Sequence, residues 1–305
     1  MKLLSKPIVI LFVVFIILKF LWLVTGTVIP VYYQNLGYLS LFHYLQDQNS
    51  NLKFDLFTTP PNQLEKYFNL ALKYDPAAEG ALLGRGIARF HSEDIELAVS
   101  DLEHVVNSRK QPGLAYFWLG LAYQAVDDNE QAIHAWRKAG AANYFFMLGE
   151  TTYRLGLFHE AQRNYEIVIK IDPDFDPAPY FKLGIIQWRS QAGIKAFQNA
   201  WRLGPNTAMG YSALGFSALF QGELERSRDY FLKAWSLDPT PSWPYEGLAD
   251  IAEAVGVETI EDYITVIGRE PFENVCNWLS SRWDSRGDVD RAEYWAQCGN
   301  ESEEK

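Results

Sequence analysis

Residues 148–173, LGETTYRLGLFHEAQRNYEIVIKIDP, carry the pattern that decides the fold. Leu148-Gly149 opens it, Gly156 falls midway, Ala161 follows Gly149 by 12 residues, Tyr165 follows Ala161 by 4, and Pro173 closes it. The pattern recurs: Leu214-Gly215 is followed by Gly222, Ser227, Phe231, Ala234 and Pro239, and Leu119-Gly120-Leu121-Ala122-Tyr123 by Ala132, Trp136 and Ala139. Looser copies hold Gly86, Ala98 and Leu102, and Leu183-Gly184, Phe197 and Ala200; the second has a short turn and Gly193 where Ala is expected. Two helices joined by a turn account for this spacing. A glycine on the first helix lets the second approach closely, because no side chain stands between the backbones. Alanine does the same from the second helix. The aromatic residue one turn later lies on the same face and fills the remaining gap. Proline ends the second helix, since it has no backbone N–H to donate.

These units resemble the tetratricopeptide repeat, a helix-turn-helix unit of about 34 residues. The resemblance covers residues 62–239 well and 240–298 weakly. Each hairpin leaves an apolar face that only the next hairpin buries. The expected fold is therefore an all-α, right-handed superhelical solenoid, preceded by one N-terminal transmembrane helix. The expected organisation is a cytoplasmic stub and anchor over 1–31, a connector over 32–60 containing the Pro60-Pro61 pair, in which Tyr38–Leu45 reads as a short helix or a mobile connector, and the repeat array over 61–239. Degenerate helical repeats forming a cap follow over 240–300, then an acidic tail over 301–305. Asn62–Tyr74 reads as the second helix of a partial repeat, and the first full unit ends near Gln111.

The anchor is read from Ile8–Leu18, eleven uninterrupted apolar residues, and from the mostly apolar Phe20–Val31 beyond Lys19. Together they suffice for a bilayer, which takes roughly 20 residues. A central lysine costs roughly 3 kcal/mol, less than a dozen Leu, Ile, Val and Phe side chains supply at about 0.5 kcal/mol each. Lys2 and Lys6 precede the span, and no Lys or Arg occurs from Phe20 to Leu52. The positive-inside rule then keeps the N-terminus cytoplasmic and exports the rest. A cleaved signal peptide with a site near Val24-Thr25-Gly26 is the alternative, and it exports the same residues.

The chain has 305 residues and a formal charge of −11. Residues 36–305 hold all 38 Asp and Glu but 24 of the 27 Lys and Arg, a net −14. Nucleic acid is excluded as a partner, because phosphate binding needs clustered cations. No phosphate loop or nucleophile elbow occurs. The histidines His43, His91, His104, His134 and His159 show no metal-ligand spacing. No cofactor and no enzymatic activity are expected. Cys276 and Cys298 each stand 11 residues from Gly287, the turn of a last hairpin. Positions equidistant from a turn face each other in an antiparallel pair, so outside the cytoplasm these two are a candidate disulfide. Buried free thiols are the other reading.

The resemblance also implies a concave groove lined by first helices. Its groove positions fall here on Phe117, Leu121, Phe146, Glu150, Tyr153, Arg154, Phe181, Trp188, Arg189, Phe216 and Phe220. Part of this aromatic set serves equally well as packing between repeats. The groove reading implies a protein partner, a peptide or helix with an apolar or aromatic segment beside an acidic residue. The function expected is a membrane-anchored scaffold for protein–protein interaction on the extracytoplasmic side, in envelope assembly. The alternative is an accessory role in polysaccharide synthesis or secretion, with rings stacking on sugars.

Overall fold

The computed structural model describes residues 6–49, 65–108 and 113–302, and the chain divides into two compact units, Met1–Ala141 and Ala142–Lys305. Among the described residues every regular element is helical.

The first unit opens with α1 (Lys6–Leu23), a π-helical turn (Val24–Val28) and α2 (Ile29–Asn49), with no coil between them. Pro30 accounts for the wide turn. It cannot donate to the carbonyl four residues back, and its ring would strike that carbonyl, so the helix widens. Ile29 N–H reaches five residues back, to the Val24 carbonyl. The hydroxyls of Thr25 and Thr27 donate to the carbonyls of Leu21 and Leu23, at 2.8 and 2.6 Å.

Of the residues expected as a connector, 32–49 are helical, which decides for a helix over Tyr38–Leu45 and extends it at both ends. The cause is tertiary. Gly37 lies against the Phe68 ring of α3 (Glu65–Tyr74), where a Cβ would come within 2.6 Å. The Tyr38 hydroxyl donates to the Gly80 carbonyl at 2.7 Å. So α2 is the first helix that the partial repeat at Asn62–Tyr74 lacked. Residues 50–64, including Pro60-Pro61 and the start of that repeat, lie outside the described residues, as do the repeat boundary at Gln111-Pro112 and Glu303-Glu304 of the tail.

Two further hairpins complete the unit, α4 (Glu79–His91) with α5 (Ile95–Val106) and α6 (Gly113–Ala125) with α7 (Asn129–Ala139). An ion network ties α3, α4 and α5. Asp101, nearly buried, accepts from Arg85 at 2.7 and 2.8 Å and from Arg89 at 2.8 Å; Arg89 also donates to Glu65 at 2.8 Å. A buried carboxylate is tolerated only when its oxygens are met in this way.

The second unit stacks α8 (Ala142–Arg154) with α9 (Phe158–Ile171), α10 (Pro177–Ile186) with α11 (Gln191–Leu203), and α12 (Ala208–Phe220) with α13 (Leu224–Leu237). The sequence signals act locally as chemistry demands. Asp176, Ser190 and Thr207 cap the first turns of α10, α11 and α12 through side-chain oxygens. Gly149, Gly184 and Gly215 meet the rings of Tyr165, Phe197 and Phe231, where a Cβ would intrude to 2.6–2.7 Å. Ser227, at an Ala position, satisfies its buried hydroxyl by donating to the Gly215 carbonyl at 2.8 Å.

The short turn between α10 and α11 explains Gly193. It brings the Gln187 carbonyl oxygen to 2.5 Å from where a Cβ of residue 193 would lie, so only glycine fits. The same turn holds Arg189 at φ +55°, the position that Gly222 fills at φ +78° between α12 and α13.

Beyond Pro239 the pattern changes. A first helix, α14 (Trp243–Val255), places Gly247 on the far side of the Phe231 ring. The short α15 (Ile260–Ile267) stands where a second helix would follow, capped by a Thr259–Asp262 box. The last hairpin is α16 (Glu273–Ser285) and α17 (Val289–Ser302), turning at Gly287. Cys276 and Cys298 face each other across it, with Cα atoms 5.7 Å apart and sulfurs at bonding distance.

Phe231→Ala removes a ring held between two glycines and is expected to destabilise the second unit by about 3–5 kcal/mol, read from its denaturant midpoint. Leu237→Ala, at an exposed site, should leave the midpoint nearly unchanged. Replacing Cys276 and Cys298 together by Ala should cost about 3 kcal/mol more under oxidising than under reducing conditions.

Candidate interaction faces

The residues expected to line a groove in the second unit separate into two sets. Phe181 and Phe216 are fully buried, which corrects their assignment as a binding surface. Phe181 meets Phe197 at 5.5 Å and Phe216 at 6.1 Å between ring centroids, and Trp243, from the first turn of α14, covers it at 4.7 Å. Phe216 packs on Phe197 at 5.4 Å and Phe231 at 4.9 Å. These rings are the core between hairpins, and water never reaches them. Phe146 and Phe220 are half-buried; Phe146 packs on Phe175, and Phe220 on Phe197. In the first unit, Phe117 is half-buried beside Trp118, and its carbonyl accepts from Trp136 Nε1 at 3.2 Å.

The remaining positions form a polar face. Tyr165 donates its hydroxyl to Glu150 at 2.6 Å. Burial raises the Tyr165 hydroxyl pKa first, and the bond to Glu150 raises it further. On the same helix as Glu150, the Tyr153 ring lies under the Lys182 ammonium, 4.2 Å from its centroid. Burial raises the Tyr153 pKa, and the carboxylates of Glu246 and Glu150 add to that. Thus α8, α10 and α14 bring Tyr153, Lys182 and Glu246 to one face. Arg154 stands exposed at the end of α8.

Trp188 and Arg189 form the apex of the short turn. Trp188 is 38% exposed and sets one edge on Phe220, at 4.5 Å. Arg189 is exposed, in a left-handed conformation that costs a non-glycine residue roughly 1 kcal/mol. Its charge reaches Asp250 of α14. Asp250 is nearly buried and accepts from Arg282 at 2.7 Å, while Arg282 and Arg286 both engage Glu253. Burial pushes the Asp250 carboxyl up to about 6, with Arg282 opposing and Glu253 and Glu246 assisting.

Sequence reasoning missed Lys182, Glu246, Asp250 and Arg282. Glu246 did carry a signal, as an acid at a position where such repeats place Leu. Asp250 and Arg282 stand 32 residues apart in weak repeats, so nothing in the spacing pairs them.

The first unit has a cleft of about 290 Å³ between α5, α6 and α7. Its floor is Leu119 and Ala135, and its rim carries Glu103, Tyr123, Gln131, His134 and Lys138. Tyr123 donates to Glu103 at 2.6 Å, and Lys138 lies over the Tyr116 ring at 5.3 Å. Burial lowers the His91 imidazole pKa; that ring packs at 5.4 Å on Trp118. Among the described residues no group of three His, Cys, Asp or Glu is placed to hold a metal ion.

In both units, then, a first-helix glycine receives a second-helix side chain at the spacing read from the sequence. The hairpins have the helix-turn-helix fold of the tetratricopeptide repeat that the sequence resembles. No protein-family model matches the chain, and no curated protein matches it. Solved structures with which it aligns include the C-terminal part of a TPR repeat-containing protein from Cytophaga hutchinsonii, at 14% identity and TM-score 0.35, over 86% of this chain and 93% of that one. Another is a tetratricopeptide repeat protein from Parabacteroides merdae, at 14% identity and TM-score 0.34, over 88% and 93%. A third is pilF from Pseudomonas aeruginosa, at 15% identity and TM-score 0.34, over 73% and 97%. These superpositions are shallow, and the assignment rests on the hairpin geometry itself.

Asp250 binds a proton more readily in the folded than in the unfolded chain. Lowering the pH from 7 through 6 toward its ordinary value of 3.8 should therefore stabilise the second unit, by roughly 1 to 3 kcal/mol from this group. Urea titrations of wild type and Asp250→Asn at pH 7 and 4.5 check it: the variant should lack this increment.

Proposed function

We propose that the protein is a membrane-anchored scaffold that holds a segment of a partner protein against the first-helix face of its second unit. The observation that carries this reading is the Trp188-Arg189 apex. The chain keeps a non-glycine residue at positive φ in a turn where Gly222 shows the relaxed solution, and it leaves both side chains exposed. Glu93 and Asp127 hold the same left-handed conformation in the turns of the first unit; what sets this turn apart is the exposed Trp188 beside the cation. Trp188 offers a flat apolar anchor and Arg189 a bidentate cation, a pair enriched at the centres of protein interfaces. The segment they suit presents an apolar side chain beside a carboxylate. Phe220, half-buried under Trp188, extends the apolar contact.

The anchor is α1. A stretch from Phe15 to Leu41, 27 residues, is long and apolar enough to cross a bilayer. Lys2 and Lys6 before it, with no cation following until residue 53, orient the N-terminus to the cytoplasm and the repeats to the other side. A scaffold held there by one helix suits envelope assembly. The uncleaved anchor is favoured over a signal peptide by α2, whose packing on α3 continues the same helix into the first repeat. Protein recognition rather than catalysis fits a chain whose hairpins are given over to packing against their neighbours.

A second reading, glycan handling, draws on the first-unit cleft, where Glu103, Tyr123 and Gln131 offer donors and acceptors suited to hydroxyl groups.

Arg189→Gly separates binding from folding. It should raise the stability of the second unit by up to about 1 kcal/mol, by relieving the backbone. Together with Trp188→Ala it should abolish cross-linking of a protein partner in detergent-solubilised membranes. A partner set unchanged by both substitutions would sink the proposal. Retention of an oligosaccharide by wild type and variants alike would favour the glycan reading.

A further inference from the structure

The passage from α1 to the first hairpin fixes where that hairpin sits. The π turn and α2 follow α1 without coil, so helical rise converts residue number into height, at about 1.5 Å per residue. From Phe15 to Leu23 the side chains are about half exposed or more, with no repeat packed on them. From Pro30 onward the same helix turns buried faces, at Pro30, Gly37 and Leu41, to the first hairpin. The apolar stretch thus ends at Leu41 by composition, but the part free to face lipid ends near Val28.

A hydrocarbon core of about 30 Å accommodates about 20 helical residues. Counted from Ile8, the start of the apolar run, these end at Thr27. The next turn carries Tyr32 and Tyr33. Tyr32 is 59% exposed, and Tyr33 is stacked at 6.2 Å on Tyr74, which is itself 41% exposed at the end of α3. Tyr32 and Tyr33 meet edge to face at 5.5 Å. Three tyrosine rings therefore lie at one height, contributed by two helices. Tyrosine suits the bilayer boundary, where its ring is sheltered and its hydroxyl is wet.

The turn between α3 and α4 comes to the same height from the other side. With Gly26, Thr27 and Gln34 it encloses a cleft of about 410 Å³. Turn backbone cannot lie in hydrocarbon, where its N–H and C=O groups would find no partner. A turn that packs beside Gly26 and Thr27, at the last turn of that count, therefore stands no deeper than the headgroup layer.

We propose that the first hairpin is seated on the bilayer, with Tyr32, Tyr33, Tyr74 and the α3–α4 turn embedded among the lipid headgroups. This rests on the anchored reading of α1 and adds to it an interaction surface. The repeat domain does not hang from a tether. It meets the membrane through a fixed edge, and α4 rises from that edge toward the turn at Glu93.

Depth-resolved quenching tests this with the full chain. Ala77→Cys, in the α3–α4 turn, and Glu96→Cys, beyond the far end of the 13-residue α4, are each labelled with bimane while the native cysteines stay oxidised. Both are reconstituted into phosphatidylcholine vesicles carrying a headgroup nitroxide and floated on a density gradient. The proposal expects co-flotation, loss of most bimane emission at residue 77, and little loss at residue 96. Co-flotation with both labels unquenched, or both quenched alike, overturns the seated edge but leaves the anchor standing. Failure to float overturns the anchor and the seated edge together. A Tyr32→Ser, Tyr74→Ser variant should float as before but lose part of the quenching at residue 77; undiminished quenching would remove the tyrosines from the interface.

Discussion

One contact organises the array: the face of a first-helix glycine against a ring from the second helix. Gly120 with Trp136, Gly149 with Tyr165, Gly184 with Phe197 and Gly215 with Phe231 repeat it, and Gly86 with Leu102 is its aliphatic form. Two backbones brought that close leave space for one large flat side chain and for nothing else. The ring in turn reaches the next hairpin. Phe68 meets Gly37 on one side and Gly84 on the other, and Phe231 meets Gly215 and Gly247. A single side chain thereby joins three helices. Since packing at interior density tolerates neither added nor missing atoms, the spacing of glycine and ring constrains the whole unit.

That constraint decided how much could be read in advance. Glycine and ring are 16 residues apart in the strong units, well within the span of one hairpin, so composition and spacing exposed them. Tertiary partners further along the chain left no such trace. Phe181 occupies a position that commonly faces a groove, but Trp243, 62 residues later, closes over it, and no periodic signal links the two. The polar composition after Val31 left Tyr38–Leu45 open between a short helix and a connector; α2 is helical because Gly37 and Tyr38 pack on residues beyond the next turn. The short turn before α11 was visible as a departure from the pattern. Its consequences, a carbonyl pressed over Gly193 and a strained Arg189, required three dimensions.

The buried acids show how departures from the repeat were accommodated. Asp101 sits between Arg85 and Arg89, so each carboxylate oxygen has a guanidinium donor. Among the described residues Asp250 has only Arg282 in direct contact, and Arg282 is shared with Glu253. Desolvation grows with burial whatever the partner, whereas compensation depends on the number and geometry of donors. One shared guanidinium falls short of what burial demands, and the carboxyl of Asp250 is displaced toward its neutral form. The weak end of the array is thus also its electrostatically responsive end. Its α16–α17 hairpin carries the Cys276–Cys298 pair, a covalent constraint placed where repeat packing is least regular.

Continuity of α1 with α2 gives the first unit a property that a flexible linker would remove. A linker of n residues lets a domain sample a volume that grows with n, so the faces of that domain have no defined relation to the helix before it. A helix that becomes the first helix of a repeat removes those degrees of freedom, because rotating the repeat would require breaking the contacts of Gly37 and Tyr38 with α3 and α4. The π turn at Val24–Val28 is the one place where the ladder of hydrogen bonds is widened, and Thr25 and Thr27 supply extra bonds there through their hydroxyls. Whatever direction α1 takes is consequently transmitted to the first hairpin. Phe68, wedged between two glycines, passes the direction of that helix on to the repeat.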